Sequence, residues 1–121
     1  AINQRLAAAS GTPAANGEPL QILRYAPGQE YRPHHDALPH THNQRILTML
    51  VYLNDAFEGG ETIFLKTELK VKGAIGDPLL FRNADQQGRP DPDAQHAGLP
   101  VRAGQKLIAS RWIHEKRFGP L

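Results

Sequence analysis

The spacing of apolar and polar residues changes early in the chain. Residues 1–9 (AINQRLAAA) are good helix formers, and Ser10-Gly11-Thr12-Pro13 supplies a stop, which predicts a short N-terminal helix. Gly, Pro and Asn then mark a loop as far as Pro19. From Leu20 the period shortens: residues 20–26 (LQILRYA) alternate apolar and polar side chains, and Pro27-Gly28 follows as a turn. Further strands are predicted at 30–36, 45–53 (RILTMLVYL), 61–65, 69–71, 78–82, 95–101 and 106–113. About eight strands broken by turns such as Glu58-Gly59-Gly60, Gly76-Asp77-Pro78 and Ala103-Gly104 predict a mainly β sandwich or jelly roll. Residues 83–94 (NADQQGRPDPDA) have no periodicity and read as a mobile loop, of the length at which lids and binding loops occur. No internal repeat is present.

Composition narrows the chemistry. A chain of 121 residues and 13.4 kDa has room for one core, and any site must share it. The formal charge is only +2 and the basic residues are scattered, which argues against a nucleic-acid partner. No apolar run approaches the ~18 residues that span a bilayer, so no membrane partner is expected. With no cysteine, neither disulfides nor thiolate metal sites are possible, and a metal would need nitrogen and oxygen donors. A first residue of Ala rather than Met points to a fragment, a processed form or part of something longer.

Residues 31–42 (YRPHHDALPHTH) carry four of the six histidines. In a strand, side chains at i and i+2 share a face, so His34 and Asp36 project together and His35 looks away. An imidazole beside a carboxylate is two-thirds of the two-histidine, one-carboxylate set that holds iron(II) with positions left open. On spacing alone the tripeptide is a weak signal and reads first as a solvated polar turn before Arg45. A third donor must come from elsewhere, and the candidates are His96 and His114. His96 follows the long loop, where a strand could pass beside the first. His40 and His42 fall in a Pro-containing loop and read as surface residues, and His35 and His114 are assigned to the outer or rim surface. Lys106 opens the apolar strand KLIASRWI; pointing inward, it would need an anionic partner such as a bound dicarboxylate.

From residue 20 to about residue 118 the sequence resembles the prolyl 4-hydroxylase branch of the iron(II)- and 2-oxoglutarate-dependent dioxygenases. YRPHHD looks like that family's Tyr-x-Pro-His-x-Asp element, TMLVYLN and EGGET like its central strand and turn, and HAGLPV and GQKLIASRWIHE like its distal-histidine and lysine strands. The resemblance implies a double-stranded β-helix (jelly roll) with a short N-terminal helix. Residues 1–19 would be the remnant of a supporting region, 20–118 the catalytic core and 119–121 a tail. It also implies His34, Asp36 and His96 as iron ligands, and Tyr25, Thr62 and Lys106 as contacts of 2-oxoglutarate. Tyr31, Arg45 and Trp112 would line a groove for a proline-containing peptide. The segment 37–44, which helps close over the peptide in the family, is short here.

The implied activity is hydroxylation of prolyl residues at C4, with dioxygen consumed, succinate and carbon dioxide released, and ascorbate rescuing oxidised iron. The ligand set carries no information about what is oxidised, so a free amino acid or another residue is an alternative substrate. A non-catalytic jelly-roll binding module is an alternative of a different class. A cupin-like hydrolase or isomerase using zinc or manganese would leave Lys106, Tyr25 and Thr62 unexplained. The compact, cysteine-free form resembles bacterial members of the family, which implies a cytoplasmic enzyme.

Overall fold

The computed structural model describes residues 2–119. The N-terminal helix α1 runs over Ile2–Ser10, one residue beyond the expectation at its C-terminal end; position 1 and the last two positions of the expected tail lie outside the described residues. Gly11 turns left-handed (φ 69) and the Thr12 N–H returns to the Ala7 carbonyl at 3.0 Å, which satisfies a carbonyl the helix end would orphan.

All strand pairings are antiparallel. One four-stranded sheet has the order β1 (Gln21–Tyr25), β10 (Lys106–His114), β3 (Arg45–Tyr52), β7 (Pro78–Arg82). The second has the order β2 (Tyr31–His34), β8 (His96–Gly98), β5 (Thr62–Phe64), β6 (Leu69–Val71). This is the expected double-stranded β-helix. Along β10 the even-numbered residues from Lys106 to Trp112 line an internal cavity. The core comprises Tyr52, Phe57, Val101 and Ile108, with Leu23, Tyr25 and Leu50 packed against them.

Two short strands were not expected. β4 (Phe57–Gly59) pairs with β9 (Val101–Gly104), and each is too short for alternation to be visible. The segment expected as one strand at 95–101 is divided by Leu99-Pro100, since proline cannot donate to a ladder. The β4–β9 pair depends on glycine: Gly59 (φ 76) and Gly104 (φ 75) are left-handed, and a Cβ would run into the Pro100 carbonyl at the first and the Ala56 carbonyl at the second.

Residues 83–94 fold back on themselves rather than forming an open lid. Ala84 bridges Pro90, and the Asp85 carboxylate accepts from the backbone N–H groups of Gln87 and Arg89 and from the Arg89 guanidinium. Asp91 then caps a single 3-10 turn at Pro92–Ala94 by accepting from the Asp93 N–H. The polar residues that made the segment look unstructured are the ones that close its turns.

Candidate active site

β2 and β8 are neighbours, and their register sets His34 directly opposite His96. The β2 ladder ends at His34, two residues short of the expected boundary, yet Asp36 still turns to the same side. The Nε2 atom of His34 lies 3.2 Å from Asp36 Oδ1, and that of His96 lies 3.6 Å from Asp36 Oδ2. Among the described residues these three form the one cluster of His, Asp or Glu ligand atoms able to hold a metal, all within 4.8 Å of one another.

Both rings are oriented from behind. His34 Nδ1 lies 2.6 Å from the Arg32 carbonyl and His96 Nδ1 lies 2.8 Å from the Ala94 carbonyl. Each therefore carries its proton on Nδ1 and turns Nε2 towards the cluster, the tautomer a metal ligand needs. Burial works against a charge on His34, but the hydrogen bonds to Asp36 and the Arg32 carbonyl outweigh it and raise its pKa. For His96 burial dominates and the pKa is lowered. Burial alone would raise Asp36, but the hydrogen bonds from His34 and Thr48 and the nearby imidazoles hold it below the ordinary carboxylate range. Two imidazole nitrogens and one ionised carboxylate, open on the cavity side, fit iron(II).

The same cavity encloses about 440 Å³, mouth included. Opposite the cluster, Lys106 is 3% exposed, and it has no ion pair among the described residues. Its ammonium lies over the rings of Tyr25 (4.9 Å) and Tyr52 (5.7 Å). Burial depresses its pKa to about 8, with the Glu61 carboxylate offsetting part of the effect. Tyr25 is also pushed up by burial, which keeps its hydroxyl protonated and able to donate. Thr62 is buried in the wall, its hydroxyl 2.9 Å from that of Tyr52. A cation, a phenol and a threonine hydroxyl around one end of a partly dry cavity fit a carboxylate.

Of the three expected substrate residues, Tyr31 and Trp112 line this cavity and Arg45 does not. Tyr31 is 41% exposed at the mouth and stacks on His34 with ring centroids 3.9 Å apart. Trp112 is buried in the wall, and its indole N–H has no hydrogen-bond partner among the described residues. Arg45 lies over the Trp112 ring at 4.5 Å and is gripped by Glu18 through Nε (2.6 Å) and a terminal nitrogen (3.1 Å). His35, His40 and His42 are exposed, as expected.

His114 corrects the expectation of a rim residue. It is 4% exposed, with Nε2 2.7 Å from the same Glu18 carboxylate and Nδ1 2.7 Å from the Asn43 carbonyl. A partly buried carboxylate from the N-terminal loop gives it a reason to be inside, and no strand pattern announces such a partner. Burial raises Glu18, but Arg45 and His114 together more than reverse this and lower its pKa.

Four contributors escaped the sequence reading. Thr48 and Asn83, both fully buried, form a chain of hydrogen bonds to Asp36. Tyr52 is tied to Thr62. Gly98 leaves space where a Cβ would stand 3.4 Å from the Lys106 ammonium. Thr48 has a legible signal, as the lone polar residue in the apolar run ILTMLV; Asn83, at the edge of a polar loop, has none.

Residues 20–114 match the model of the 2OG-Fe(II) oxygenase superfamily. Prolyl 4-hydroxylase 1 of Arabidopsis thaliana is 40% identical over 134 aligned positions, which take in 96% of this chain and 47% of that protein. The chain thus spans about half the length of the curated relatives it matches. The crystal structure of a viral collagen prolyl hydroxylase from Paramecium bursaria Chlorella virus 1, in complex with 2OG, superposes with a TM-score of 0.80 at 33% identity, covering 96% of this chain and 71% of that one. A Pseudomonas putida prolyl 4-hydroxylase, at 22% identity and a TM-score of 0.64 over 95% of this chain and 63% of that one, shares the fold. The chain belongs to the 2OG-Fe(II) oxygenase superfamily, in its prolyl 4-hydroxylase-like branch.

Proposed function

We propose that the chain carries the catalytic core of an iron(II)- and 2-oxoglutarate-dependent dioxygenase that hydroxylates prolyl residues in peptides or proteins. Residues 20–118 would form that core and 1–19 its support. One observation carries the reading: a buried ammonium with no ion pair among the described residues shares a cavity with a His-Asp-His donor set. A metal site alone would not need Lys106, and a passive binding module would need neither. The names of the relatives, prolyl 4-hydroxylase and collagen prolyl hydroxylase, support a prolyl substrate.

In this reading His34, Asp36 and His96 hold iron(II). Lys106, with the hydroxyls of Tyr25 and Thr62, holds the far carboxylate of 2-oxoglutarate. Iron with 2-oxoglutarate and dioxygen supplies C–H hydroxylation coupled to oxidative decarboxylation of the cosubstrate to succinate and carbon dioxide. Ascorbate serves to return oxidised iron to the ferrous state. The protein's part is placement. Tyr31 at the mouth and Trp112 in the wall flank the approach to the donor cluster, where an extended peptide would present a proline ring.

The test is turnover of proline-rich peptides with iron(II), 2-oxoglutarate and ascorbate, read as succinate release and as a mass gain of one oxygen atom on proline. Succinate formation that no peptide stimulates would turn the reading to the second one, the same chemistry on a free amino acid or another residue. That alternative is favoured by one feature: the Arg45 guanidinium, expected to grip peptide, is occupied by Glu18.

A further inference from the structure

The carboxylate of Asp36 is not free to choose how it binds. Its Oδ2 accepts a 2.6 Å hydrogen bond from the Thr48 hydroxyl, and Thr48 Oγ1 accepts in turn from the Asn83 amide at 2.7 Å. Thr48 is 0% exposed and Asn83 1%, so water does not compete for either group. The direction of this chain is fixed by its ends. A carboxylate can only accept, so the single hydroxyl proton of Thr48 is committed to Asp36. The group behind Thr48 must then be a donor, and the asparagine amide nitrogen is one.

Asn83 is itself pinned by its backbone. Its N–H donates to the Ile46 carbonyl (2.8 Å) and its carbonyl accepts from the Asp91 N–H (2.9 Å), at the point where β7 gives way to the closed turn 83–94. The far end of that turn supplies the Ala94 carbonyl that orients His96. One segment therefore steers two of the three donor residues.

We propose that Asn83 and Thr48 are positioning residues that make Asp36 a one-oxygen ligand: Oδ2 is held by Thr48, and Oδ1, on the His34 side, is left for the metal. Without them the carboxylate would be free to rotate, Oδ1 would no longer be held towards the donor nitrogens of His34 and His96, and metal binding would weaken. The inference rests on the reading that His34, Asp36 and His96 hold a divalent metal.

The test is Mn(II) affinity of the full chain without 2-oxoglutarate, from the electron paramagnetic resonance signal of free Mn(II), alongside the metal-free melting temperature. Thr48→Val keeps the shape and loses the donor, and Thr48→Ser keeps the donor. The valine variant is expected to bind Mn(II) about tenfold or more weakly, as loss of a partner behind a ligand commonly does, and the serine variant close to the parent. A purely structural role would lower the melting temperature of both variants and leave the affinities alike, which overturns the proposal. If the valine variant does not fold, Asn83→Leu decides: it frees the Thr48 hydroxyl to turn away, and unchanged Mn(II) affinity would refute the relay. Asp36→Ala separates the two levels of inference. A parent protein that binds no more Mn(II) than Asp36→Ala defeats the metal site itself, whereas a large loss in Asp36→Ala with none in Thr48→Val defeats only the relay.

Discussion

Binding of 2-oxoglutarate should be linked to protonation of Lys106, and the structure sets the pH at which this appears. The ammonium is 3% exposed and its pKa falls from an ordinary 10.5 to about 8, because burial strips its hydration and only Glu61 partly offsets that loss. At ~1.4 kcal/mol per pH unit, the fold carries about 3 kcal/mol of unrelieved desolvation. The sign follows. In the free protein this penalty on stability is present below about pH 8, where the buried amine is charged, and fades as pH rises towards 10.5. A dicarboxylate placed beside the ammonium relieves it and pulls the pKa back up. From about pH 7 to about pH 9 the protonated fraction of free protein falls from about 0.9 to about 0.1, so the apparent Kd should rise about tenfold. Binding above pH 8 should take up nearly one proton. Calorimetric titration of oxygen-free, Mn(II)-loaded protein, in buffers of different ionisation enthalpy, measures both quantities. Lys106→Arg keeps its charge throughout this range, so whatever its affinity, the slope should vanish. A flat Kd in the parent, or an equal slope in the arginine variant, would refute the assignment of Lys106 as the anion's partner.

Other consequences are simpler. His96→Ala should abolish turnover and lower metal affinity by at least ~100-fold, whereas His40→Ala, at an exposed position, should leave both nearly intact; equal damage from the two would overturn the choice of third ligand. Metal affinity should fall as pH drops through the raised pKa of His34, because the metal must displace a proton there, and a titration with Mn(II) at several pH values follows it. Gly104→Ala should cost about 2 kcal/mol or more in a denaturant melt, since it puts a side chain at φ 75 and against the Ala56 carbonyl; a change under ~0.5 kcal/mol would show that the β4–β9 turn can relax.

The His34 and Asp36 part of the candidate cluster is legible because its information is local and periodic, whereas His96 and His114 stay alternatives until the resemblance to the family favours His96. The His34-x-Asp36 spacing gives a shared face whether the strand ends at His34 or two residues later, and Lys106 stands out against the apolar strand it opens. What stayed hidden depends on partners distant in sequence. Arg45 and His114 are decided by Glu18, which lies 27 and 96 residues away, and nothing in the loop around Glu18 marks it as their partner. The segment 83–94 looks loose in the sequence because its aspartates and arginine are polar. Their hydrogen bonds to backbone two and four residues away are what make it tight. The strands β4 and β9 were missed because three or four residues cannot display a period.

The site is a property of how two sheets pack, more than of either one. The candidate donors come from β2, β8 and the turn after β2, while Lys106 and Tyr25 come from β10 and β1 in the other sheet. The distance between the donor cluster and the Lys106 ammonium is therefore set by side chains that bridge the gap. Tyr52, 0% exposed, does this most directly: it belongs to β3 in the sheet of Lys106, and its hydroxyl meets Thr62 of β5 and the Val71 carbonyl of β6 in the other. Tyr52→Phe removes that tie while keeping the ring beneath the ammonium. It should weaken 2-oxoglutarate binding by several-fold and leave Mn(II) affinity unchanged, because neither partner of the hydroxyl, Thr62 or the Val71 carbonyl, belongs to the donor cluster; an equal loss of both in the same titrations would mean that the two ends of the cavity are not independent.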